Sequence, residues 1–139
     1  MSGVGISLPG PISVNGLFAN IPGKGRITTR EYKAWRKSAA ELLSVQRSRT
    51  FDVPVAITVY VGEEGVGGMD GDNTSKAYLD ALKRAGIIKD DSRKWVRTVE
   101  VVWVPDMAGA VAWVAPARPA PRPSEVINMV PVRLRSLLP

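Results

Sequence analysis

The 139-residue sequence predicts an α+β fold: one domain, built as a mixed β-sheet with two main helices packed on it. Three observations predict it. Val53, Val55, Ile57, Val59 and Val61 occupy every second position, the period of a strand with one buried face. Two stretches, one following Thr28 and one running from Thr74 to Ala85, repeat apolar residues at the three- and four-residue steps of a helix. Residues 96–104 are dominated by β-branched side chains, which suit a pleated surface. Along the chain the order is strand, helix, strand, helix, strand, strand, and helices layered on a mixed sheet accommodate that order.

Val4 to Leu8 reads as a short strand, followed by a loop rich in Gly, Pro and Asn that carries Lys24 and Arg26. Thr28 and Glu31 form a capping box that opens the first helix, whose core side is Tyr32, Trp35, Ala39 and Leu42 or Leu43. Arg30, Lys33 and Lys37 share another stripe, joined by Arg36 and, beyond the helix, by Arg47 and Arg49. The alternating strand then enters the glycine-rich segment Gly62 to Gly68, which lacks the Gly-Lys-Ser or Gly-Lys-Thr ending of a phosphate loop. In the second helix Asp72 or Asn73 is the expected N-cap, and Gly86 the left-handed stop. Leu79, Leu82 and Ala85 face a core, while Asp72, Lys76 and Asp80 line another side. Val96 to Val104 is a long strand, Pro105 to Gly109 a turn, and Val111 to Ala115 its expected hairpin partner. Residues 1–115 therefore make the domain, and 116–139 an extension that starts with the proline-rich spacer PARPAPRP.

Composition excludes several chemistries. With no cysteine there is neither a disulfide nor a thiolate, and with no histidine there is neither an imidazole ligand nor the usual general base. Ser-His and Cys-His hydrolases are excluded with them. Nineteen Lys and Arg against thirteen Asp and Glu leave a net charge of +6, which suits a polyanionic partner if the acids are gathered in one place. The sequence opens without a leader and holds no apolar run near 18 residues, so the expectation is a cytoplasmic protein with no membrane association.

Residues 70–91, DGDNTSKAYLDALKRAGIIKDD, concentrate the acids. Asp70 and Asp72 precede a helix that carries Lys76, and Asp90 and Asp91 follow it. Carboxylates from two places beside a helix N-terminus suit a hard divalent cation such as Mg²⁺, which prefers oxygen ligands and keeps waters. The competing reading is that Asp, Asn and Gly are turn and capping residues, and that Asp72–Lys76 and Lys76–Asp80 are surface pairs worth under ~1 kcal/mol. Spacing alone does not choose between the two. A calcium loop is excluded, because Ser75 and Ala81 stand where its sixth-position glycine and twelfth-position glutamate belong.

LPGPISVN at residues 8–15, YKAW at 32–35, and above all DGDNTSKAYLDAL followed by GIIKDDS resemble the RusA family of Holliday-junction resolvases of phages and prophages. The resemblance covers about residues 4–115. It implies a homodimeric endonuclease that uses Mg²⁺, or Mn²⁺ in its place, to nick four-way DNA junctions. Carried over position by position, Asp70, Asp72 and Asp91 match the metal-binding acids and Lys76 the catalytic lysine, with Asp91 taken over its neighbour Asp90. The cations placed to meet DNA phosphates are Lys24 and Arg26 in the first loop, Arg30, Lys33 and Lys37 on the first helix, and Arg93 and Lys94 beside the later acids. The bland alternative for each is a solvated surface charge.

Two rival functions stand beside the nuclease: another metal-dependent phosphoryl hydrolase such as a nucleotidase, which needs a closed pocket, and a non-catalytic DNA-binding module whose acids are caps and turns. Residues 116–139 hold four arginines and one glutamate, half the net charge. They read as a basic arm on DNA, as a strand or helix docked on a sister subunit, or as a motif for another partner.

Overall fold

A computed structural model describes residues 2–12, 18–67 and 74–139. Its centre is β4 (Val55–Gly62), in which Val55, Ile57, Val59 and Val61 are all buried, as the alternation requires. The strand starts at Val55 and not at Val53. β4 pairs in parallel with β5 (Val96–Val104) and antiparallel with β6 (Ala110–Pro116), which in turn pairs antiparallel with β1 (Val4–Leu8). The four-stranded order is β1-β6-β4-β5. The expected hairpin between β5 and β6 is therefore wrong, for β6 passes over its predecessor and inserts between β1 and β4. Hydrophobic pattern explains this: Ala110, Ala112 and Val114 are buried and belong in a central strand, whereas β5 is mostly exposed and suits an edge.

Between β2 (Phe18–Ile21) and β3 (Gly25–Thr28) the chain makes a second, two-stranded sheet, where the sequence suggested only a loop. Gly23 and Gly25 adopt positive φ and allow the tight turn at Lys24. Thr28 ends this hairpin, so the N-cap of α1 (Arg30–Gln46) is Thr29, whose hydroxyl accepts from the Tyr32 N–H at 3.2 Å. Tyr32, Trp35, Ala39 and Leu43 are its buried face. α2 (Ser75–Arg84) is capped by Thr74, not by Asp72 or Asn73, both of which lie outside the described residues. It buries Ala77, Tyr78, Ala81 and Leu82, while Ala85 is exposed. Gly86 at φ +75° stops it as expected.

Both helices pack on one face of the four-stranded sheet. Tyr78 is fully buried among them, and its hydroxyl donates to the Pro9 carbonyl at 2.8 Å, which pins the segment after β1 to α2. Trp35 does likewise, donating from Nε1 to the Gly10 carbonyl at 2.7 Å. The other face carries Thr58 and Tyr60 on β4 beside Trp113 and Val111 on β6, and Tyr60 and Trp113 remain 40% and 45% exposed. Beyond β6 the Ala117 N–H donates to the Pro54 carbonyl at 2.9 Å, after which the chain leaves the sheet. It then forms α3 (Pro123–Ile127) and a 3₁₀ turn (Val132–Leu137), with no residue of either buried.

Burial pushes the Tyr78 and Tyr32 phenols above the ordinary tyrosine value, with Asp80 adding to the effect at Tyr32. Both hold their proton more tightly folded than unfolded, so their stabilisation is complete below about pH 10 and is lost as pH rises further. Tyr78→Phe should cost about 1 kcal/mol at neutral pH through the orphaned Pro9 carbonyl, and should show a shallower loss of stability above pH 10. Urea denaturation at a series of pH values checks both. An unchanged alkaline slope would assign the loss to other groups.

Candidate active site

The crossover from β4 to β5 carries α2, with Lys76 on its first turn and Asp90 and Asp91 beyond its last. Gly62 closes β4 against the turn that precedes β6: its N–H donates to the Gly109 carbonyl at 2.8 Å, and a Cβ there would overlap the Met107 carbonyl. The chain then runs toward Asp70 and Asp72, which lie outside the described residues. It re-enters the described structure at Thr74, and Lys76 follows on the first turn of α2 with its side chain exposed.

Lys76 has an aromatic neighbour that the sequence did not announce. Its Nζ lies 5.8 Å from the centre of the Phe18 ring, over which the Arg26 guanidinium sits at 4.0 Å. Phe18 also meets Tyr32 edge-on at 6.0 Å. The β2–β3 hairpin thus brings Arg26 to the side of α2 that bears Lys76, while Lys24 stands at its exposed tip. Only the hairpin makes Phe18 adjacent to Lys76, across 58 residues of sequence.

At the other end, Asp90 and Asp91 return alongside α2. Lys83 lies seven residues after Lys76, so the two rise from one face about 10 Å apart along the axis. The Lys83 ammonium sits 3.1 Å from Asp90 and 4.0 Å from Asp91. Lys83 and the Asp91 backbone N–H hold the Asp90 carboxyl below the usual carboxylate range, and the same pairing raises Lys83. Both aspartates are exposed enough to reach a solvent ion. Among the described residues no three acids come together.

Asp80 leaves the group that its spacing suggested. Its carboxylate accepts from the Tyr32 hydroxyl and from Arg84 Nε, both at 2.9 Å, and pairs with Arg36 Nε at 3.4 Å. Arg36, stacked 4.1 Å over Tyr32, is likewise withdrawn from the basic stripe of α1. Arg30, Lys33 and Lys37 are exposed, as expected. Arg93 and Lys94 are exposed in the turn after Asp91, where Lys94 and Lys89 flank the Trp95 ring at 5.4 and 5.9 Å.

The sequence matches the family profile described as Endodeoxyribonuclease RusA over residues 9–111, roughly three-quarters of the chain. The chain belongs to the RusA family. Membership makes it an endonuclease of Holliday junctions and sets the nuclease above the two rival functions. The matched region encloses Asp70, Asp72, Lys76 and Asp91, and it stops within β6, before the extension. Comparison with curated proteins gives no significant match. No helix of the described RusA-family chain is long and apolar enough to cross a membrane.

Because Asp80 ties α1 to α2, Asp80→Ala should destabilise the fold by about 1–2 kcal/mol, a charge-assisted network discounted for its partial exposure. Chemical denaturation measures this. Stability equal to wild type would show that the network contributes nothing to holding the helices together.

Proposed function

We propose that this chain is a Mg²⁺-dependent, homodimeric resolvase, of the kind found in phages and prophages and acting in the cytoplasm, that cuts Holliday junctions by paired phosphodiester hydrolysis. What carries the reading is the family match enclosing the acids and the lysine, at a place where Asp90 and Asp91 already gather a cation, the Lys83 ammonium. An all-oxygen donor set in a chain without histidine or cysteine fits a hard ion. Asp70, Asp72 and Asp91 would hold it, as Mg²⁺ or Mn²⁺. Asp91 is favoured over Asp90 because Asp90 is the more closely committed to Lys83. Bound there, the ion supplies Lewis-acid charge to the scissile phosphate and lowers the pKa of the attacking water.

The protein's own groups do the rest. Lys76, fixed on the first turn of α2, presents positive charge that orients the water or balances charge growing on phosphorus. Lys24 and Arg26 on the hairpin, Arg30, Lys33 and Lys37 on α1, and Arg93 and Lys94 after Asp91 meet the phosphate backbone. A two-fold dimer places two copies of one site on related strands, as paired nicking needs.

Asp70→Asn, Asp72→Asn and Asp91→Asn should each abolish Mg²⁺ binding by calorimetry and cleavage of a four-way junction, while junction binding in gel shifts persists. Lys76→Ala should lose about a hundredfold or more in cleavage rate and keep its metal. Asp90→Asn is expected to stay active. Wild-type cutting by both Asp70→Asn and Asp72→Asn would return these acids to the role of turn residues.

Two further expectations follow from the surface and the symmetry. Reversing Lys33 and Lys37 to Glu should flatten the dependence of log affinity on log salt by about 2, if each residue neutralises one phosphate. An unchanged slope would place the DNA on another face. Light scattering at micromolar concentration should report a dimer, and a monomer that persists with junction bound would defeat the homodimeric reading.

A further inference from the structure

The extension after β6 lies beyond the family match, and it is locally ordered without a core. From residue 123 onward its described hydrogen bonds stay within it. The Arg122 backbone N–H and Nε both donate to the Glu125 carboxylate at the start of α3, and Arg135 folds back to donate to the Val130 carbonyl at 2.9 Å. Yet Met129 and Leu137 are 77% and 78% exposed, and Val126, Ile127 and Val132 are open as well. An ordered segment that displays large aliphatic side chains is built to meet an apolar surface.

Three features point to a second copy of this chain as the owner of that surface. First, residues 117–139 contain no aromatic side chain to stack on bases, and Arg122 and Arg135 are engaged with Glu125 and with backbone carbonyls. DNA is thereby disfavoured. Second, the domain leaves a surface of matching character uncovered: the outer face of its sheet, where Val111 and Trp113 lie beside Tyr60. Glu100 stands on the same face, opposite Thr58, and offers an acid to an arginine such as Arg133. Third, the protomer's own spacer walls one side of an open groove on that face, floored by Thr58, Trp113 and Ala115. A 24-residue arm on a four-stranded face meets the roughly 20–30 residues a side of a standard interface.

We propose that residues 116–139 form a docking arm that seats on the outer sheet face of a second copy, each protomer giving one arm and receiving one. This rests on the homodimeric reading and adds the surface that makes the dimer. Reciprocal exchange satisfies two-fold symmetry and buries the apolar side chains of both arm and face.

Sedimentation equilibrium on full-length variants tests it. The arm variant Met129→Glu with Leu137→Glu alters only exposed positions, and the face variant Val111→Thr with Trp113→Thr keeps β-branched strand formers. Glu100→Arg is a second face variant should that pair fail to fold. Each is expected to weaken the dimer at least about tenfold. An equimolar mixture of arm and face variants should dimerise more tightly than either alone, because the hybrid retains one intact arm and one intact face. An arm variant that dimerises like wild type overturns the docking arm while leaving the homodimer standing. A mixture no tighter than its components also overturns it, since arms seated on their own protomers gain nothing from mixing. A monomeric wild type defeats the homodimer, and this proposal with it.

Discussion

Parallel strands cannot be joined by a tight turn, and the arrangement of this molecule follows from that constraint on β4 and β5. The chain must cross from the end of one strand to the start of the other, and α2 is the crossover. Its apolar face, centred on Tyr78 and Leu82, packs on β4, so its opposite side is left to solvent and charge. Lys76 on its first turn and Asp90 and Asp91 beyond its last are then fixed to the two ends of one rigid rod. Lys76 and Lys83, two turns apart on one side, mark those ends. Without the parallel pairing, Lys76 and the Asp90–Asp91 pair would have no enforced relation in space.

A second layer of contacts keeps the rod in place. Phe18, Tyr32, Trp35 and Tyr78 form a continuous run of ring contacts from the hairpin through α1 to α2. Beside it Asp80 gathers Tyr32, Arg36 and Arg84 at the seam of the helices. Aromatic packing supplies area while the carboxylate supplies direction, and the hairpin is held where Arg26 and Lys76 share the Phe18 ring. Arg36 is drawn partly away from the surface in the process, while Arg84 stays exposed. Lys24 and Arg26 on the hairpin, Arg30, Lys33 and Lys37 on α1, and Arg93 and Lys94 after Asp91 are among the cations that remain exposed.

Local periodicity was legible and long-range pairing was not. Val4–Leu8, Val96–Val104 and the buried face of α1 follow from alternation and helical spacing, and Gly86 ended α2 as its type requires. Of Leu79, Leu82 and Ala85, however, only Leu82 is buried, because α2 turns Ala77, Tyr78 and Ala81 inward instead. The hairpin at residues 18–28 was hidden because its strands are short and mostly exposed, with turn residues that read equally well as a loop. Placing β6 beside β5 assumed that neighbours in sequence pair, but burial of both neighbours' edges favoured β4 and β1 for an alanine- and valine-rich strand. At the site, Lys76 and the aspartates stand out by residue type and order. Lys83 and Phe18 do not, since each matters only through a partner that the fold brings back. Asp80 shows the converse error: helical spacing put it with Asp72 and Lys76, and a neighbouring helix claimed it.

The two lysines of α2 sit in different electrostatic environments. A cation that pairs with a carboxylate lowers that group's appetite for an ion, so Lys83 beside Asp90 leaves Asp91 the less neutralised of the two. Lys76 is held instead against a ring, whose face attracts a cation without cancelling its charge. Among the described residues no carboxylate pairs with its ammonium. Exchanging these environments would set Lys76 beside a carboxylate and Lys83 against a ring, so the position of each on the helix matters more than the number of charges.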